Sequence, residues 1–387
     1  MSLDTLENLV LSGEKLTPMM KQYYGIKKEN KDRIVLFRMG DFYEVFFEDA
    51  LEVAKILNIA QTHRGKIGDT PVPMAGIPHH AANNYVDKLT SAGKRVAICE
   101  QIQDPKDAIG IVKRAVTQVV SPGIPFDLNK AEQSQNFYIC SAANDDKFFS
   151  LTLLDFSTGQ FFGFHQQSIE EFQNLLIKYR PKEIVLYPGQ FAREKSIEET
   201  IGQLNILRNT LHEDYFTEIN GDDILKKYIP CYSKDKLISK SSCLKKALFG
   251  LTSYLNHTQG ESSLDHIQEF KLIPTENFLN VSATTLIGLE ILPRQYNVIN
   301  TSLLGFCDQT KSPMGRRHLK EIFLHPLSSK KDITSRQKTI DYFLKNSEVL
   351  SNIRNSFTHI RDIERLMTKA SLGKATSHDL INFSTSF

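Results

Sequence analysis

No stretch of this sequence stays apolar for about 18 residues, the length a membrane-crossing helix needs, which excludes a transmembrane span. The first residues carry Asp4, Glu7 and Glu14 and lack a basic stretch followed by an apolar one, so no secretory signal is expected. Cysteine is sparse. The five present (Cys99, Cys140, Cys231, Cys243, Cys307) are scattered and never spaced as CxxC. That excludes a disulfide framework and a zinc ribbon, and reads as reduced thiols in a cytosolic protein. Internal repeats and low-complexity tracts are also missing, which excludes a solenoid. No GxxxxGK[S/T] occurs: Gly65-Lys66 is followed by Ile67, Gly93-Lys94 by Arg95 and Gly373-Lys374 by Ala375, so no P-loop is encoded. The adjacent His79 and His80 point in different directions and have no Cys or acidic pair nearby, so they are not read as a metal site.

What is there is ordinary globular material. The 387 residues are 41% hydrophobic and 24% charged, which excludes a disordered or collagen-like chain. The length fits two or three domains. A formal charge of +2 hides a split: residues 1–127 net 0, residues 128–309 net −5 and residues 310–387 net +7. The basic tail, with Lys311, Arg316, Arg317, Lys320, Lys330 and Lys331, is either a solvated helical face or a surface for an anionic partner.

Along the chain, Thr17-Pro18 predicts a helix start, since threonine accepts the orphan amides and proline is tolerated at the first turn. Ile34 to Phe37 and Phe42 to Phe47 read as strands parted by Gly40-Asp41. Helices are expected over Glu48 to Asn58 and His80 to Ala92, with Gly65 to Pro78 as a connection between them. Arg95 to Cys99 is a further strand, so this part reads as a small mixed α/β domain, ended by Ser121 to Pro125. Phe137 to His165 alternates like an antiparallel meander, with Asp145-Asp146 and Ser157 to Gly159 as turns. Ser168 with Glu171 predicts a capped helix to Tyr179, and Glu183 to Tyr187 another strand. This β-β-β-α-β order resembles an RNase H-like sheet. Helical periodicity takes over from about Phe249: Leu279 to Leu292, Leu319 to Phe323, Ile333 to Leu344 and Ile360 to Ala370, with caps at Ser302 and Ser347. The expected class is multidomain α/β plus α, divided at 1–126, 127–250 and 251–387.

The run Arg38-Met39-Gly40-Asp41-Phe42-Tyr43-Glu44, then Phe46 and Asp49-Ala50, resembles the mismatch-recognition signature of the MutS family. Other blocks resemble that family in order: Thr17-Pro18-Met19-Met20, Pro73 to Ala81, Val96 to Gln101 with Asp104-Pro105, Val119 to Gly123, Asp155 to Gly159, and Ser302 to Leu304 through His325-Pro326-Leu327. Gly288 stands where the family usually has Asn, and Phe323 where Trp is common. The resemblance implies a mismatch-recognition domain, an RNase H-like connector and the first part of a helical lever. It also implies a longer parent, since the family's clamp helices and ATPase are not in this sequence. ATP and Mg²⁺ belong to that implied full-length protein, and no cofactor is expected in this chain.

The resemblance makes Phe42 an aromatic wedge that enters the minor groove and unstacks a base step. Mispaired DNA resists such kinking less, so deformability can be read without a base code. Glu44 is implied as a base contact: ionised it accepts from a base N–H, and protonated, with a raised pKa, it donates to a ring nitrogen. Alternation places Phe42 and Glu44 on one side of the strand and Tyr43 on the other. From the residues alone, Phe42 also reads as a half-buried strand aromatic, and Met39 as either core filler or groove contact. Arg64, Lys113 and Arg114 read as DNA-backbone contacts or as solvated charges. The implied partners are mismatched double-stranded DNA, a MutL-like repair partner on the connector, and a second copy in a full-length dimer. The expected location is cytoplasmic and nucleoid-associated. Two other classes stay open: a metal-dependent RNase H-like nuclease using Asp155, and a protein-interaction scaffold.

Overall fold

Thr17 accepts the amide of Met20 and Pro18 opens helix α1 (Pro18–Glu29), as its first residues predict. The computed structural model describes residue 7 and residues 15–103, 110–128, 136–145, 147–229, 232, 236–259, 265–293 and 301–386. Cys231, Asp146 and Asp104-Pro105, named above, lie outside the described residues. The chain forms two compact units, Met1–Asp127 and Leu128–Phe387.

The first unit is built on a mixed sheet of β1 (Ile34–Met39), β2 (Phe42–Phe46), β3 (Gln61–Ile67), β4 (Thr70–Pro78), β5 (Val96–Gln101) and β6 (Arg114–Val120), in the order β3-β4-β2-β1-β5-β6. Only the β1–β5 neighbours run parallel. Helices α2 (Phe47–Leu57) and α3 (Ala82–Ser91) bury Val53, Leu57, Val86 and Leu89 against Ile34, Leu36, Tyr43 and Val45 on one face. Helix α1 covers the other face, packing Met20 and Tyr23 on Val35, Phe37 and Phe46. The Gly65–Pro78 stretch, expected as a connection, is instead most of a hairpin turning with Gly68 at φ +58°. Its prolines sit beside the bulge between His63 and Lys66 and at the last residue of β4, where a missing ladder N–H is tolerated.

In the second unit, β7 (Tyr138–Asn144), β8 (Phe149–Asp155), β9 (Gln160–Gln167), β10 (Glu183–Leu186), β11 (Leu207–Thr210) and β12 (Lys271–Leu272) form a sheet in the order β11-β10-β7-β8-β9-β12. β7, β8 and β9 are antiparallel neighbours, while β10 runs parallel to both β7 and β11. Helix α4 (Ile169–Tyr179) starts on a complete capping box of Ser168 and Glu171. It packs with α5 (Lys195–Gln203) on one face of the sheet. After α6 (Glu218–Tyr228) and α7 (Lys236–Lys240), helix α8 (Ser242–Gln259) packs Cys243 and Ala247 with Ala143 on the other face. This helix runs through position 250, where strand signals fade in the sequence. Gly250 lets it approach: a Cβ there would lie 2.2 Å from the Phe216 ring.

The helices that follow are α9 (Ala283–Gly288), α10 (Leu303–Cys307), α11 (Pro313–Leu324), α12 (Lys330–Lys345), α13 (Ser347–His359), α14 (Ile363–Ser371) and α15 (Ser377–Ser384). Leu286, Leu304 and Leu324 join the same core as the sheet. Of the expected helix Leu279 to Leu292, only Ala283–Gly288 is helical. Ser282 caps its start by accepting the Thr285 amide, and Glu290 turns into φ +54° beyond its end. Ser302 caps as expected, but Ser347 is the first helical residue and Asn346 precedes it. Deep ion pairs tie the last helices together: Arg317 reaches Asp362 at 2.6 and 2.8 Å, and Lys369 reaches Asp379 at 2.8 Å. No helix among the described residues is long and apolar enough to cross a membrane.

Candidate nucleic-acid interface

The β1–β2 hairpin turns on Gly40-Asp41, and Gly40 takes φ +58°, which suits the first corner of a type II′ turn. The register pairs Met39 with Phe42, Arg38 with Tyr43 and Phe37 with Glu44. Met39, Phe42, Phe37 and Glu44 therefore share one face of the sheet, and Arg38 and Tyr43 the other. On the first face Tyr23 packs edge-on against Phe37 at 5.6 Å and Phe46 at 4.9 Å. That cover stops short of the hairpin end. Phe37 is fully buried, Met39 half-buried, and Phe42 is 48% exposed. The Phe42 ring rests beside Gly76 on β4, where a Cβ would sit 3.7 Å from its Cδ1. On the opposite face Tyr43 is buried and donates its hydroxyl to Glu100. The Arg38 guanidinium lies 5.6 Å from the Tyr43 ring. The aromatic is thus displayed from a strand whose other residues are anchored in the core.

Glu44 is 8% exposed. One oxygen accepts from Arg64, while Oε2 is buried without a hydrogen-bond partner. Burial pushes the carboxyl above the usual carboxylate range, and the Arg64 and Arg114 guanidiniums only partly pull it back. Arg64 comes from β3, two strands away, at the bulge where Gly65 takes φ +67°. A bulge re-aims a side chain that regular alternation would fix. Arg114 lies across the same face, with its guanidinium 5.0 Å from the Phe37 ring. It donates to the carbonyls of Arg38 at 2.6 Å and Val112 at 2.8 Å, and to Gln22 at 3.3 Å. Burial lowers its pKa. Lys113 stays exposed just before β6.

So Met39, Phe42, Glu44, Arg64 and Arg114 meet at one end of one sheet face. Sequence reasoning treated Arg64 and Glu44 separately and missed their ion pair, because the bulge that joins them lies in a stretch read as a connection. It also gave Gly76 no role. The resemblance covers that region, Pro73 to Ala81, without revealing that it pairs with β2.

Asp155, the residue on which a nuclease would depend, is fully buried in the second unit. Its oxygens accept from Ser157 N and Oγ at 2.9 and 2.7 Å and from Asn136 at 2.9 Å, as a turn-capping carboxylate does. Glu183, on β10, is also buried and accepts from Asn209 at 2.7 Å and Tyr254 at 2.8 Å. Among the described residues no group of three or more His, Cys, Asp or Glu side chains could hold a metal ion.

Two mixed sheets and a helical region, with an aromatic and a buried acid at one sheet-face end, define a modular α/β protein. Family models match in the same order: MutS domain I over residues 17–129, MutS domain II over 136–268 and MutS domain III over 284–387. The chain belongs to the MutS family. Similar curated relatives carry the name DNA mismatch repair protein MutS. That of Petrotoga mobilis is 37% identical over 95% of this chain and 44% of its own length. That of Streptococcus thermophilus is 36% identical over 96% and 41%. That of Porphyromonas gingivalis is 33% identical over 94% and 40%. The chain spans about two-fifths of the length of these relatives.

Proposed function

We propose that this chain recognises mispaired or looped duplex DNA for mismatch repair, with Phe42 as a wedge in the minor groove and Glu44 as the contact to the displaced base. The observation that carries the reading is the pairing of a 48%-exposed Phe42 with a buried Glu44 whose Oε2 has no partner, on one anchored strand. A ring held this way unstacks a base step at a cost of roughly a few kcal/mol, less where pairing is already weak. The free carboxylate oxygen is an unmet acceptor that a base N–H satisfies, and protonation turns it into a donor. Half-buried Met39 extends the apolar contact beside the wedge. Arg64 and exposed Lys113 are the candidates for phosphate contact, while the internal bonds of Arg114 favour a role in shaping the face.

The reading extends to wider family behaviour: coupling to ATP in a full-length dimer, and a MutL-like repair partner on the middle region. The sheet order of β11-β10-β7-β8-β9 supports an RNase H-like connector. We set its border with the helical lever beyond α8, because that helix packs on the middle sheet. Fluorescence anisotropy of the 387-residue chain with matched, G·T and single-base-loop duplexes tests the proposal. Tighter binding to the defective duplexes, lost in Phe42→Ala, is expected. Equal preference in the variant and the parent chain would sink the wedge.

A further inference from the structure

We propose that the cavity between α4 and the 275–280 segment binds a small organic carboxylate, anchored by Lys178. This site lies in the second unit and is independent of the DNA reading. The cavity measures about 310 Å³ and is lined among others by Phe164, Asn174, Leu175, Lys178, Phe278 and His325. That is the lower end of the range for small-molecule sites, about 300–1,000 Å³. Its outer wall is fixed by the amide of Leu279 donating to Pro326 O at 2.7 Å and by the bridge of Phe278 with Leu327.

Lys178 is 7% exposed and makes no hydrogen bond or ion pair with any described residue. It occupies the core side of α4 beside Leu175, Leu176 and Tyr179, where an apolar residue would pack without desolvating a charge. Burial lowers its pKa, with no carboxylate acting against that effect. Glu171 and Glu276 also line the cavity, but Glu171 is held in the capping box, its Oε2 accepting from Ser168 N at 2.9 Å, and Glu276 is exposed.

The neighbouring groups add no further charge. The Tyr179 hydroxyl donates its one hydrogen to Glu321 at 3.3 Å and so accepts from His325 Nε2 at 2.6 Å. Burial and the charge of Lys178 hold the imidazole pKa at about 4, so His325 is neutral near pH 7. The ring is packed against Phe164 at 6.2 Å and Phe278 at 5.1 Å. Asn174 spends its oxygen on the Ala283 amide at 3.0 Å, leaving its NH₂ to donate. One ammonium and the Asn174 NH₂ suit a single negative charge. The apolar walls of Phe164, Leu175, Phe278 and Leu279 suit a short hydrocarbon body over a phosphate.

The test uses the 387-residue chain with ring-labelled histidine, followed by NMR at the His325 signal. Butyrate is the probe, with butyramide and inorganic phosphate in parallel. Butyrate should shift His325 saturably, butyramide should not, and phosphate should bind at least about tenfold more weakly. Lys178→Met, with folding checked by its unaltered far-UV spectrum, should weaken butyrate by at least about tenfold. The wild-type titration stands even if that variant fails to fold. No saturable shift with butyrate, an equal response to butyramide, or unchanged affinity in folded Lys178→Met would each overturn the proposal.

Discussion

Replacing Arg64 by glutamine removes the guanidinium bonded to Glu44 and leaves a carboxylate whose other oxygen is already without a partner. Glu44 has a folded pKa above its ordinary value of 4.5, because burial outweighs Arg64 and Arg114. A carboxyl raised by folding costs stability when it ionises. That cost is absent below the unfolded pKa and grows as pH rises through the folded one. Without Arg64 the folded pKa moves further up. The variant and the parent chain should therefore be equally stable at low pH, where Glu44 is protonated in both, and should diverge as pH rises. Exposed pairs are worth about 0.2–1 kcal/mol, and stripping one partner from a buried pair costs about 3–5 kcal/mol. Arg64 is 41% and Glu44 11% exposed at the side chain, so the pair falls between these limits. The expected plateau is about 1–2 kcal/mol near pH 8. Hydrogen exchange of the β1 and β2 amides, read as opening free energies at pH 4 and pH 8, measures it. Adding Glu44→Gln to the variant should flatten the dependence. A difference of equal size at both pH values would refute the assignment of Glu44 as the group that Arg64 holds.

Phe42 and Phe37 offer a second contrast on the same sheet face. Phe37→Ala, at a fully buried position, should cost about 3–5 kcal/mol of opening free energy, while Phe42→Ala, at a half-exposed one, should cost about 1 kcal/mol. A similar large loss at both positions would make Phe42 a core residue. In the helical region, burial alone would push the Asp379 carboxyl up. The Lys369 ammonium and the Thr376 donors overcome that and hold it at about 2. Its stabilising contribution is present above about pH 4 and is lost as pH falls through about 2. The melting temperatures of Asp379→Asn and the parent chain, well apart at pH 6, should converge over that window. A constant gap would assign the loss to packing.

Local chemistry made much of this fold legible. Thr17-Pro18 and the Ser168–Glu171 pair satisfy orphan helix amides wherever they occur, so they mark helix starts without tertiary help. The alternation at Phe42, Tyr43 and Glu44 gives the faces of the strand for the same reason. The β3–β4 hairpin was not legible. Its prolines and glycines oppose strand formation locally, and only pairing of β4 with β2 on one side and β3 on the other offsets that. That α8, which runs across residue 250, packs on the middle sheet was not legible either, because a helix packed on a sheet has the same periodicity as one packed on helices. Leu279 to Leu292 shows the converse, an apolar spacing that is helical only between Ser282 and Leu289.

The sequence by itself determined that the chain is modular, mixed α/β and then helical, and that Phe42 and Glu44 share a side. It did so because periodicity, caps and turn residues act over a few positions. Tertiary structure alone decided how far α1 covers that side, and so that Phe37 is core while Phe42 is displayed. It also decided that Arg64, twenty positions along the chain, lands on Glu44, and that Lys178 lines a cavity without a hydrogen-bond partner among the described residues. Exposure and ion pairing depend on which elements meet across the sheet, and no local pattern carries that information.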